Sequence, residues 1–223
     1  MRRRDALLIL LPPLSLLPGC ATRRGMPLDT ALFPHTTTAP EARLPGRVAV
    51  LAPPAVRNLV HEGEDGPARA LRMPVGAIVV QAMLGSADAA CSGDAQRLDA
   101  PAPAPRAAGA GHVATLVIQA VRVSCHSHLL RFIPLPVLGG LADQEFDARL
   151  AVDVTLLDAL GGVVWTRSYD DGRQVWAHEW TGQGKVNERL LRLTHEAAWR
   201  LAQRALSDLR EWVEADRMRP RSL

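Results

Sequence analysis

The sequence predicts an α+β fold: a mixed β-sheet with helices packed on one face and a long C-terminal helix. Three observations carry this. Ala148, Leu150, Val152, Val154 and Leu156 alternate with Arg149, Asp153 and Thr155 before Gly161-Gly162, and Val163 to Tyr169 returns, which is the two-residue period and turn of a hairpin. From Asn187, a residue suited to an N-cap, Leu190, Leu193, Ala197, Leu201, Ala205, Leu209 and Trp212 recur at three- and four-residue spacing, while Glu188, Arg192, Arg200, Arg204 and Glu211 face away. That helix of roughly 27 residues spans about 40 Å, enough to lie across a sheet. His112 to Ser124 sets Val113, Val117, Val121 and Val123 on one face and Leu116, Ile118 and Ala120 on the other, as in a strand covered on both sides.

The other elements follow in order along a domain placed at residues 46–215. Gly46 to Ala52 (GRVAVLA) is a Val-rich run stopped by Pro53-Pro54 and reads as a buried strand. Residues 57–72, with His61, Glu62, Glu64 and Asp65, read as a polar loop. Val75 to Ala90 is rich in Ala, Met, Leu and Gln and apolar around its circumference, so it predicts a helix largely covered by protein. Asp99 to Gly111 alternates proline and alanine, a stiff, poorly packing connector. IPLPVLGGLAD, from Ile133 to Asp143, reads as irregular, and residues 216–223 as a basic tail.

Residues 1–19 form a different kind of segment. Arg2-Arg3-Arg4 precedes an apolar run of 12 residues, Ala6 to Leu17, that is broken by Pro12 and Pro13. A spanning helix needs roughly 20 apolar residues, so the run reads as a cleaved secretory leader rather than a membrane anchor. Leu17-Pro18-Gly19-Cys20 resembles the lipobox of bacterial lipoproteins, with Cys20 as the acylated residue and Pro18 as a departure from the usual pattern. Ala21, where an aspartate would resemble an inner-membrane retention signal, points under that resemblance to the outer membrane, facing the periplasm. Residues 20–45, with four prolines and Thr36-Thr37-Thr38, read as a flexible tether.

Charge and cysteine content narrow the partners. The chain of 223 residues carries 26 basic and 23 acidic residues, and removing the leader leaves 23 and 22. A mature charge near neutrality gives no footprint for nucleic acid. With Cys20 assigned to lipid, Cys91 and Cys125 remain. In an oxidising compartment such a pair predicts one disulfide, closing a loop of about 35 residues, with two free thiols as the alternative.

Sequence motifs for chemistry are sparse. Cys125-His126-Ser127-His128 carries metal-ligating residue types, but along a strand Cys125 faces away from both histidines, and two ligands fall short of a zinc site. We therefore assign no metal, no cofactor and no catalytic residue. Asp143, Glu145, Asp147, Asp170 and Asp171 cluster in sequence but read as solvated charge at turns and strand edges. No Gly-x-Ser-x-Gly, Walker, dinucleotide or HExxH motif occurs. Trp165, Tyr169, Trp176 and Trp180 fall within sixteen residues. Trp165 reads as packed beneath the terminal helix with Trp199 and Trp212, whereas Trp176 and Trp180, placed in the loop after the hairpin, are the candidate contact surface, with packing beneath the same helix as the alternative.

RVAVLAPP, the VG-led helix, VTLLDALGGVVW and ERLLRLTHEAAWRLAQRAL together resemble, as an order of elements, the YajG-type and ABC-transport auxiliary lipoproteins, whose domain is similar to the TolB N-terminal fold. That resemblance implies a non-enzymatic accessory of an envelope transport or assembly system, held by membrane lipid through Cys20 and docking to an envelope protein partner. The competing expectation is a ligand-binding or metal-dependent hydrolytic lipoprotein using His126 and His128 or Trp176 and Trp180.

Overall fold

A five-stranded sheet in the order β4-β1-β5-β6-β7 organises the chain. The structure is a computed structural model that describes residues 43–44, 46–62, 72–92, 95–98, 112–137, 139–180 and 182–218. The leader, Cys20, nearly all of the 20–45 segment, the 99–111 connector and the last five residues lie outside the described residues. β1 (Arg47–Leu51) lies parallel to β4 (Gln96–Leu98) on one side and to the start of β5 (His112–Ile133) on the other. β5, β6 (Leu141–Asp158) and β7 (Val163–Trp180) then form an antiparallel meander. This is the mixed sheet of an α+β fold.

The helices pack on one face. α2 (Val75–Ala90) occupies the range predicted for it, and its Ile78, Val79, Met83 and Ala87 are buried. α3 (Gln183–Met218) buries Leu190, Leu193, Ala197, Leu201, Ala205 and Leu209. The two helices touch one another, where Gln203 Nε2 donates to Ser86 Oγ at 3.1 Å and the Trp199 ring lies beside Gly85. Beneath them, Val48, Val50, Leu116, Ile118, Phe146, Leu150, Val152, Val154 and Leu156 complete the core. The even-numbered residues of β6 point to the helices, as the hairpin alternation requires.

Several boundaries differ from expectation. α3 begins at Gln183, one turn before Asn187, and runs through Asp216 to Met218, so it has 36 residues and spans about 54 Å. β5 continues nine residues past Ser124, and much of the segment read as irregular after it becomes the start of β6. The polar 57–72 region carries a small two-stranded ribbon of β2 (His61–Glu62) and β3 (Arg72–Met73) behind the short α1 (Pro54–Arg57). β5 also contains a bulge between Ile118 and Ala120 that one-face parity counting misses. Leu116 and Ile118 face the helices before it, and Val121, Val123 and Cys125 do so after it. Two-sided burial therefore holds only over Leu116, Val117 and Ile118.

Ion pairs fasten α3 to β7. Asp208 accepts from Tyr169 Oη at 2.6 Å and pairs with Arg167 at 2.5 Å; Asp171 pairs with Arg200 at 2.6 Å and Arg204 at 3.2 Å; Arg173 lies 3.6 Å from Glu196. Asp171 is thus no solvated turn charge, and Arg200 and Arg204 turn toward the sheet rather than away from it. The cause is that β7 is longer than the hairpin alternation indicates, so its helix-facing charges meet the flank of α3.

Gly76 sets the approach of α1 to α2. Its N–H donates to Leu59 O at 3.0 Å, and a Cβ there would overlap the Val56 carbonyl oxygen and come within 2.7 Å of that of Arg57. Gly76→Ala is expected to cost about 3 kcal/mol or more, since backbone oxygens cannot move aside as side chains do, read as a lowered urea midpoint. Asp171→Ala, which removes the carboxylate shared by Arg200 and Arg204, is expected to cost about 1 kcal/mol in the same assay, since Arg200 keeps Glu196 and Arg204 is half exposed.

Candidate functional site at the far end of the sheet

Helix coverage does not extend over all of β5. α2 is about 24 Å long whereas 22 residues of strand extend about 70 Å, and β1 pairs with β5 only as far as Val117. Beyond Ile118 the sheet is a three-stranded arm, in which β5 and β7, among the described residues, each pair only with β6. The arm ends in the segment joining β5 to β6.

Large apolar side chains collect at that end. Leu129, Leu130, Phe132 and Ile133 are about half exposed, Val137 is 89% exposed, and Trp176 and Trp180 are 63% and 42% exposed. Both tryptophans lie in β7 itself, not in a loop after it. Cross-strand register places Ile133, Leu141 and Trp180 in the last row of the open face, Arg131, Asp143 and His178 in the row behind, and His128, Glu145 and Trp176 in the third. Phe132 lies on the helix-facing side, against Gly140. That glycine has φ +122°, and a Cβ on it would come within 2.6 Å of the Phe132 ring, so the joining segment can close onto the ring only with glycine there.

The open face nearer the middle of the arm is polar. Arg122 holds Asp153 with two hydrogen bonds at 2.6 and 2.9 Å, and Ser168 Oγ donates to the same carboxylate at 2.6 Å. Hydrogen bonds from these two residues, Arg122 foremost, hold that carboxyl down at about 2. A shallow hollow of about 620 Å³ opens beside this network, between Ser124, Arg149, Asp170 and Gln174. Asp147 pairs with Arg149 at 3.3 Å, and Asp143 with His178. Of the acidic residues that cluster in sequence, Asp143 and Asp147 pair with bases on the open face and Asp171 on the helix-facing side.

His126 and His128 stack on the open face with ring centroids 6.2 Å apart, and Cys125 points to the opposite side. Among the described residues no group of three or more His, Cys, Asp or Glu converges on a point that could hold a metal. One contact was not legible from spacing rules: Ser124 Oγ lies 2.7 Å from His126 Nε2. A working nucleophile also needs an acid to orient the base, and Asp147, the residue opposite His126 in register, is engaged by Arg149.

The expected disulfide does not form; both thiols are free and buried. Cys125 Sγ lies 3.6 Å from Thr194 Oγ1, whereas Cys91 ends α2 within the fields of Asp88 and Arg210. Thr194 and Arg210 stand about 24 Å apart along α3, far beyond the Cα separation a disulfide bridges. Sequence separation cannot reveal this. Trp165 packs against the core as expected, edge-on to Tyr169 at 6.3 Å with the Arg167 guanidinium 5.4 Å above its ring.

No protein-family model matches this chain, and no curated protein matches it. Similar solved structures include a candidate lipoprotein from Caulobacter crescentus, at 15% identity and TM-score 0.39, covering 78% of this chain and 93% of that one. A minor lipoprotein from Acinetobacter baumannii is 11% identical with TM-score 0.36, covering 77% and 94%. A candidate neuraminyllactose-binding hemagglutinin homolog from Helicobacter pylori is 4% identical with TM-score 0.40, covering 82% and 92%. Likeness at this level carries no argument about function.

Burial raises both thiols to about 11, the Asp88 charge adding to the effect at Cys91. Their folded pKa lies above the unfolded value of 9.0, so the stability they contribute is fully present below pH 9. It is lost as pH climbs from 9.0 to about 11, because the unfolded thiols ionise first. Urea midpoints should fall across that window and fall less in Cys125→Ala. Thiol reagents at neutral pH should modify both groups only after denaturation.

Proposed function

We propose that this protein is an envelope lipoprotein anchored through acylated Cys20 in the outer membrane, facing the periplasm. In this reading it has no chemistry of its own and serves a transport or assembly system by docking to a protein partner. The observation that carries the docking role is the free edge of β7. Eighteen residues present main-chain N–H and C=O groups that, among the described residues, pair on one side only, and an extended segment of another protein can complete such a strand. Arg167, Asp170, Asp171 and Arg173 place charge on the stretch up to Arg173, which discourages indiscriminate pairing there. Gln174 to His178 carries no Lys, Arg or carboxylate and presents the exposed Trp176, so this stretch is where a partner strand would seat. The motif at Cys20 supports the anchor, and Ala21 supports the outer membrane over the inner.

Fractionation of cells expressing Cys20→Ser should move the protein from membranes to the soluble periplasm with its thermal transition unchanged. Retention on membranes would mean that the uncleaved leader, not lipid, holds it. Crosslinking in intact envelopes should trap one partner with wild type and markedly less with Trp176→Lys; equal capture by both would overturn the β7 edge as the docking site.

A further inference from the structure

We infer that the end of the arm is itself a lipid-contacting tip that enters the interfacial layer of a bilayer. It is distinct from the acyl anchor and from the β7 docking edge. Two-sided exposure is the first reason. Ile133, Leu141 and Trp180 face one side of the sheet and Phe132 the other, while Val137 projects from the joining segment between the strands. A protein groove covers one face of a sheet end; a lipid phase surrounds both.

Depth is the second reason. The last row is followed on the open face by Arg131, Asp143 and His178, two residues back along each strand or about 7 Å. Interfacial elements bury about 5–10 Å into the boundary between headgroups and acyl chains. A tip that sinks to its charged row fits that depth, with Arg131 at the level of lipid phosphates and Trp180 in the zone where indole rings concentrate, while Trp176, a row further back, stays outside it. Deeper entry is excluded by the sheet itself. Along the arm the edges of β5 and β7 carry backbone groups that are unpaired among the described residues, which headgroups and water satisfy and hydrocarbon does not.

Position supplies the third reason. The chain enters the fold at Leu44, which bridges Cys91 beside the start of β1, and β1 runs parallel to β5 from its first residues. The tip lies at the opposite end of β5, about 70 Å of strand away. The described chain therefore begins at one end of the sheet and carries its apolar tip at the other, clear of β1, α1 and α2. The inference rests on the proposed Cys20 anchor only for bringing the tip near a membrane, and its test uses protein without lipid.

The chain from residue 20 onward carrying Cys20→Ser should float with vesicles of phosphatidylethanolamine and phosphatidylglycerol. Its tryptophan emission should shift to the blue and be quenched by lipids brominated near the headgroup end of the acyl chains. Val137→Asp, at a position too exposed to affect folding, should weaken partitioning about tenfold, and Ile133→Ser should do so as well. Absence of flotation, or flotation equal in all three proteins, would overturn the inference. So would a concentration-dependent dimer that these substitutions abolish while leaving flotation unchanged, because the tip would then seat a second copy of the chain. Trp176→Lys should leave flotation largely intact, so a failed docking edge and a failed tip give different results.

Discussion

Unequal lengths of helix and strand govern this structure. α2, at about 24 Å, covers β1 and the first part of β5; α3, at about 54 Å, follows the β6–β7 hairpin over nearly its whole length. β5 is longer than either helix and has no helix of its own over its last third. Everything exposed at the far end follows from that mismatch. The apolar side chains there result from the geometry of a strand that outruns its cover, and they form a larger group than Leu160 and Val163, exposed at the opposite hairpin turn.

Laying α3 along β7 also decides what the charges do. Asp208, Glu196 and the Arg200–Arg204 pair meet a ladder of Arg167, Asp171 and Arg173, so the helix is fixed in register as well as in contact. Tyr169, buried and donating to Asp208, stays a neutral phenol well above the usual tyrosine range, chiefly because of its burial. The open face, by contrast, keeps its charges as local pairs around Asp153. One face is a fastened core and the other a solvated surface, and the working features lie at the edge and the tip.

Local periodicity made the architecture legible, and whatever depended on counting across irregularities was not. The Leu150–Leu156 alternation, the stripe from Leu190 to Leu209 and the apolar circumference of Val75–Ala90 each report one element's own environment. Parity in β5 fails at the bulge before Ala120, because one extra residue reverses the side chains as far as Leu129, where a second register shift restores it. The far half of β7 reads as a loop because Gly172 and the charges around it interrupt the alternation, although Asp171 and Arg173 meet α3. Of the candidate site, Trp176 and Trp180 were identified from their clustering alone. Phe132, Ile133 and Val137 were hidden in a proline- and glycine-rich stretch whose apolar residues gave no period.

The two thiols have a consequence for how the molecule matures. Each is sealed in the core at a different level of α3, un-ionised at any physiological pH, and so neither attacks a disulfide nor offers itself to one. The native fold has no disulfide to wait for and needs no oxidant to reach its covalent end state. In an oxidising compartment the hazard runs the other way: a Cys91–Cys125 bridge made before folding joins residues that the finished domain holds far apart, so burial has to outpace oxidation.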